Sequence, residues 1–227
     1  MTSHASSAVR ISRFGFVNAY LVPEDDGFTL IDTTIKGGGK KIVAAAQQAG
    51  LPIKRIALTH AHGDHVGGVD ELAKMIPGVE LLISARDARF LAGDRSLDAG
   101  EPQDRLRGGY VQTETQPTAT FVPGDTVGSL QVVAAPGHTP GHVAFFDPRD
   151  GTLLAGDSYT TFGRVVATTS KPRFPFPLAA LSTWSRETEL ASAKALRALN
   201  PAFLAPGHGR IVADPAAAMD AAIRKAS

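Results

Sequence analysis

Thr59-His60-Ala61-His62-Gly63-Asp64-His65 puts four potential metal ligands within six positions, directly after Ile53-Lys54-Arg55-Ile56-Ala57-Leu58, a run that reads as a buried strand. A catalytic zinc usually takes three protein ligands and keeps one place for water, so the surplus calls for a second ion. Behind the cluster, Val69, Leu72, Ala73 and Ile76 recur at helical spacing, and Gly67 and Gly68 let the backbone pack closely where the ligand loop enters that helix.

The same arrangement returns three times. Leu130-Gln131-Val132-Val133-Ala134 leads to Pro136-Gly137-His138, Thr152-Leu153-Leu154-Ala155 leads to Gly156-Asp157, and Ala202-Phe203-Leu204-Ala205 leads to Pro206-Gly207-His208. Each is an apolar strand, a glycine-bearing turn and a side chain that binds metal. Strand ends on one edge of a sheet are where open α/β frameworks place their sites, because the framework is rigid and its loops are free to be polar. Five of the seven histidines and two aspartates thereby form one candidate set for a pair of first-row ions: His60, His62, Asp64, His65, His138, Asp157 and His208.

With these residues in place, the sequence resembles the metallo-β-lactamase superfamily of binuclear hydrolases, whose His-x-His-x-Asp-His signature and later His, Asp and His positions are matched without a gap. The similarity runs from Asn18-Ala19-Tyr20-Leu21-Val22 and Leu30-Ile31-Asp32-Thr33 through His208. It implies that His60, His62 and His138 hold one metal, that Asp64, His65 and His208 hold the other, and that Asp157 bridges them. Asp32 matches an acid that supports the site from outside the ligands, although a turn residue at a strand end would look the same. His142 falls where the family has no ligand and reads as a supporting or structural residue.

The implied chemistry is carbonyl hydrolysis by a metal-bridging hydroxide. Two divalent ions outweigh two aspartates and a hydroxide by one net positive charge if the histidines are neutral, as coordination requires. That excess faces an oxyanion forming on an attacked carbonyl, and metal binding lowers the pKa of water from about 15.7 toward 7. Asp64 is the candidate to orient the hydroxide and pass a proton to the leaving group. With no Cys in the chain, a thiol nucleophile is excluded. Imidazole and carboxylate ligands favour zinc, with manganese, iron or cobalt able to take the same positions.

Within the superfamily, His62 stands where flavodiiron proteins carry Glu, and their flavin domain has no counterpart. The nineteen residues after His208 leave no room for the glutathione-binding extension of longer glyoxalase II enzymes, and no nuclease insertion is visible. True β-lactamases lack an acid equivalent to Asp157. An ester, lactone or thioester hydrolase is therefore the expected function. The alternatives are a mononuclear-iron persulfide dioxygenase and a metal-binding protein without catalysis. Quorum-quenching lactonases place a tyrosine three residues after the bridging acid; Tyr159 lies two after Asp157 and is the candidate to hydrogen-bond the substrate carbonyl. Lys171-Pro172-Arg173-Phe174-Pro175-Phe176-Pro177 and Trp184 either wall the site or pack the last long helix onto the sheet.

At 227 residues and 43% hydrophobic content, the chain suits one catalytic domain spanning 1–227. Net charge is +1 with basic residues dispersed, so a small-molecule substrate is expected and nucleic acid is not; no apolar stretch is long enough to cross a bilayer. Met1 to Arg10 has no apolar core of a secretory leader, which makes the cytoplasm the default location; oligomeric state is not readable. Strands are predicted near 14–21, 28–32, 53–58, 80–83, 118–121, 130–134, 143–146, 152–155 and 203–205. Helices are predicted over 40–49, from the capping pair Ser84 and Asp87, over 183–199, and from Asp214-Pro215 to Ile223. Periodicity alone gives mixed α/β; the resemblance supplies the expectation of a four-layer αβ/βα sandwich.

Overall fold

The computed structural model describes residues 6–163, 165–174 and 176–227; Pro175 of the connection noted above lies outside them. The first half runs β1 (Val9–Arg13), β2 (Val17–Glu24), β3 (Gly27–Ile31), α1 (Gly39–Ala49), β4 (Ile53–Ala57), α2 (Gly63–Val66), α3 (Val69–Met75), β5 (Glu80–Ser84), α4 (Ala85–Leu91) and β6 (Ala119–Phe121). The second runs β7 (Thr126–Val127), β8 (Leu130–Ala134), β9 (Val143–Asp147), β10 (Thr152–Phe162), β11 (Val165–Thr168), α5 (Leu178–Leu181), α6 (Arg186–Ala198), β12 (Phe203–His208), β13 (Val212–Ala213) and α7 (Ala216–Ala226).

Strand order along the sheet path is β6-β5-β4-β3-β2-β12-β10-β9-β8-β7, with β1 on β2, β11 on β10 and β13 on β12. From β3 to β6 the strands are parallel, each return made through a helix, as parallel pairing requires. β10 and β12 are also parallel, joined through α5 and α6. The two halves meet along the path at one residue pair, His208 opposite Val17.

Side-chain alternation sorts these strands into layers. Ala19, Leu21, Leu30 and Ile56 point toward Ile42, Leu72 and Phe90 of the first-half helices. Their neighbours Tyr20, Val22, Ile31 and Ala57 point the other way, against Val132, Phe145, Leu154 and Ala205 of the second half. In turn Ala144, Leu153, Ala155 and Leu204 face Ala193, Leu196, Met219 and Ala222 of α6 and α7. Three apolar cores separate four layers, helix, sheet, sheet, helix, which is the expected sandwich.

Several boundaries differ from the sequence reading. β2 starts at Val17, since Phe14 (φ 52°) and Gly15 (φ 81°) turn the chain back onto β1. α6 starts at Arg186 because Thr183 to Ser185 run alongside the His138 loop, where the Trp184 and Ser185 amides donate to the carbonyls of His138 and Gly137 at 3.1 and 2.9 Å. β10 runs past Ala155 to Phe162, with β11 returning beside it. Among the described residues no helix is long and apolar enough to cross a membrane.

Candidate metal centre

The seven proposed ligands converge from the loop after β4 and α2 behind it, the loop between β8 and β9, the middle of β10 and the end of β12. Their ligand atoms fall into three overlapping groups, each within 4.8 Å: His60, His62 and His138; His60, His65 and Asp157; Asp64, His65 and His208. All seven are buried except Asp64, whose side chain is 40% exposed at the cavity mouth.

The outer ring nitrogens fix which way each imidazole presents its lone pair. His62 Nε2 donates to the carbonyl of Arg107 at 2.9 Å and His208 Nδ1 to that of Phe16 at 3.1 Å; a carbonyl can only accept. His65 Nδ1 donates to Asp32 Oδ2 at 2.8 Å. The remaining two lean on threonines whose protons are already engaged. Thr59 Oγ1 donates to Asp32 Oδ2 at 2.8 Å and so accepts from His60 Nδ1 at 3.0 Å, while Thr183 Oγ1 donates to the Thr169 carbonyl at 2.9 Å and accepts from His138 Nδ1 at 3.1 Å. Every inner nitrogen is therefore the one a metal would take, a lone pair wherever the imidazole is neutral.

Those lone pairs face one another and two carboxylates. His62 Nδ1 and His138 Nε2 stand 3.0 Å apart, near the ~3.3 Å that two ~2.05 Å bonds at a tetrahedral angle would set. Asp157 reaches ligands of both sets: Oδ1 is 3.2 Å from His65 Nε2, and Oδ2 is 3.3 and 3.1 Å from the Nε2 atoms of His138 and His208. Asp64 Oδ2 is 3.4 Å from His208 Nε2. His60 Nε2, His65 Nε2 and Asp157 Oδ1 are buried without any hydrogen-bond partner. Five imidazole nitrogens and two carboxylates packed this closely, three of their buried atoms without a partner, fit cations.

Electrostatics divide the cluster. Burial drives His60 and His138 well below the ordinary histidine range and takes His62 down to about 4, so all three stay neutral. Burial acts the same way on His65 and His208, yet the charge of Asp157, helped by Asp64, outweighs it, and His208 rises to about 9. Burial would raise Asp157, but His208 and His65 pull it far below the usual carboxylate range. Protons and metal ions thus compete for the acidic side of the site.

Supporting residues hold this geometry. Asp32 (φ 60°) takes the strand-end turn and the supporting role together, accepting from Thr59 N as well as Thr59 Oγ1 and His65. His142 donates from Nδ1 to the Ala135 carbonyl at 2.8 Å and accepts from the Asp157 amide at Nε2 at 3.1 Å, fixing the backbone of that acid. Sequence reasoning missed Asp87. Ser84 does cap α4 by accepting from the Asp87 amide, but the Asp87 carboxylate accepts from Ala61 N, Thr139 Oγ1 and Gly141 N at 3.0, 2.7 and 2.7 Å, tying two ligand loops together. The sequence offers only Ser84 and Asp87 at capping spacing, which does not distinguish a cap from a tie between loops.

Tyr159 is corrected. Its hydroxyl donates to the Ala193 carbonyl at 2.7 Å and its ring is fully buried in the core beneath α6, facing away from the ligands. Four steps of β10, Gly156 to Thr160, span only two of β12, Pro206 to His208, and this bulge turns Asp157 inward while Tyr159 points out. Phe174 is 92% exposed, and Trp184 donates to the Asp104 carbonyl at 3.0 Å; neither lines the metal cavity. Phe176 does, beside Phe16, Leu178 and Ala179.

Known proteins place this geometry in context. The sequence profile described as Metallo-beta-lactamase superfamily matches residues 12–208. Bacillus subtilis YobT is 43% identical over 92% of this chain and 90% of its own. A hydroxyacylglutathione hydrolase of Xanthomonas euvesicatoria is 35% identical over 63% of this chain but only 46% of its own length. Among solved structures, TTHA1623 in a di-iron-bound form superposes with a TM-score of 0.67 at 29% identity, covering 93% of this chain and 96% of that one.

Proposed function

The chain belongs to the metallo-β-lactamase superfamily, and from that premise we propose that it hydrolyses a carboxylic ester, lactone or thioester with two divalent ions held by seven side chains. The observation that carries this reading is the set of five imidazole nitrogens turned inward on two carboxylates, with His60 Nε2, His65 Nε2 and Asp157 Oδ1 buried and unpartnered. His60, His62 and His138 would hold one ion, Asp64, His65 and His208 the other, and Asp157 would lie between. When bound, such ions polarise the substrate carbonyl and bring the pKa of water near 7.

The protein's own residues supply the rest. Asp64 is the one acid of the set open to solvent, and the neighbouring His65 and His208 hold its carboxyl well below the usual range against the opposing effect of burial. It is therefore ionised at the cavity mouth, placed to accept a hydrogen bond from the attacking water at Oδ and to hand its proton on to the departing oxygen or sulfur. Asp157 is enclosed and serves to hold charge in place. Phe16 and Phe176 close one side of the cavity and keep bulk water from it.

Zinc is the ion we assign on ligand chemistry; the di-iron-bound relative makes iron the second reading. The test is metal analysis of protein purified without chelator, then turnover of aryl esters, homoserine lactones and lactoylglutathione before and after metal removal. About two zinc ions per chain and hydrolysis that returns with added metal support the proposal. A single iron with oxygen uptake on glutathione persulfide would replace it with the dioxygenase.

A further inference from the structure

The cavity over the ligands measures about 90 Å³, well short of the roughly 300–1,000 Å³ that encloses a small-molecule ligand. It houses a reacting group, and the remainder of a substrate must lie across the rim. On one side that rim is continuously apolar and begins at a ligand. The Phe176 ring is 5.1 Å from the His208 ring, 5.6 Å from Phe16, and 6.4 Å from Phe162 at an interplanar angle of 9°. Phe162 and Leu178 are 48% and 59% exposed, and Leu181, one helical turn beyond Leu178, is 49% exposed. Apolar side chains scattered singly over a surface need no explanation, but a run of them leading out of a polar site does.

Charge points the same way. Among the described residues lining the cavity there is no Lys or Arg to pair with an anionic leaving group; its only charged groups are Asp64 and Asp157, with the imidazoles around them. We propose that the substrate carries an apolar acyl or aryl group next to the scissile carbonyl, and that this group lies across Phe16, Phe176, Phe162 and Leu178 while the carbonyl enters the cavity. The assignment rests on the hydrolase reading above and narrows it to hydrophobic substrates.

The experiment is a p-nitrophenyl ester series from acetate to octanoate with the metal-loaded protein. The specificity constant kcat/KM is expected to rise about two- to fourfold per methylene until the chain outruns the rim. Phe162→Ser and Phe176→Ala should each shrink the octanoate-to-acetate ratio by about tenfold, with metal content unaltered. A second arm needs no turnover: octanoate should bind the metal-loaded protein at least about tenfold more tightly than acetate by calorimetry. If no ester is cleaved but octanoate still binds preferentially, the hydrolase reading fails and the apolar rim stands. A flat chain-length profile with equal binding of the two carboxylates overturns the rim. So does a dimer that Phe162→Asp disrupts while the profile stays flat, which would give this surface to a second copy of the chain.

Discussion

A histidine with both nitrogens engaged can do only one thing, and His142 is such a residue. Its Nδ1 donates to Ala135 and its Nε2 receives the Asp157 amide, so a second proton could enter only by displacing that amide. Burial accordingly lowers it from 6.5 to about 4. The unfolded chain binds the proton first, so stability is full above pH 6.5 and falls as pH drops from 6.5 toward 4, by about 3 kcal/mol from this group. Urea unfolding at pH 7, 5.5 and 4.5, in chelator so that metal linkage drops out, should show a shallower acid loss in His142→Gln; parallel losses would remove the assignment. Asp32 acts on its neighbour differently, by setting the His65 tautomer. Asp32→Asn should weaken metal affinity about 10- to 100-fold in a competitive chelator titration, whereas undiminished affinity would reduce Asp32 to a turn residue. Tyr159→Phe, by contrast, removes a buried bond to Ala193 and should cost about 1 kcal/mol of stability while kcat stays within about twofold. A tenfold fall in kcat with unchanged stability would bring Tyr159 back to the site.

At the level of elements, strand ends decide what fits beside the ligands. A Cβ on Gly207 would come within 2.3 Å of Asp157 Oδ1 and 2.6 Å of His65 Cε1. Gly207→Ala therefore forces two ligands apart at the end of β12, an overpacking cost of about 1–3 kcal/mol that falls on the site. The expected result is a folded protein, by far-UV circular dichroism, with metal affinity lowered about 10- to 100-fold; unimpaired metal binding would mean the strand end yields freely. Such strand ends were legible in the sequence because an apolar run, a glycine and a polar ligand are adjacent in the chain. Apolar patterning alone placed β4, β8 and β9 within a residue or two. It missed what depends on a second strand. β10 looks finished at Ala155, and only its pairing with β11 and the bulge against β12 extend it and reverse Tyr159. Asp87 reads as a capping partner because its three donors come from residues 26 to 54 positions away. Residues 92–118 carry no periodicity, yet Arg107 and Tyr110 from this stretch lie against His62.

The whole molecule is two halves that share little backbone pairing, one residue pair along the sheet path, and are held by the apolar core between the sheets. The ligands are divided across that joint: His60, His62, Asp64 and His65 come from the first half, and His138, Asp157 and His208 from the second. Each proposed ion takes ligands from both. An ion bound to the folded chain and not to the unfolded one stabilises it by RT ln(1 + [L]/Kd), about 4 kcal/mol at a thousandfold excess over Kd. For a chain of this size, 1 kcal/mol corresponds to about 2–4 °C, so removing one such ion should lower Tm by about 8–16 °C and removing both by about 16–32 °C. Without cations, the lone pairs of His62 and His138 oppose each other at 3.0 Å across the joint, which adds to the loss. Differential scanning calorimetry of metal-loaded and chelated protein, with metal content measured on the same samples, reads this directly, and restoring zinc should recover Tm. A chelated sample shown to be free of metal that unfolds within about 1 °C of the loaded one would mean that no ion bridges the two halves.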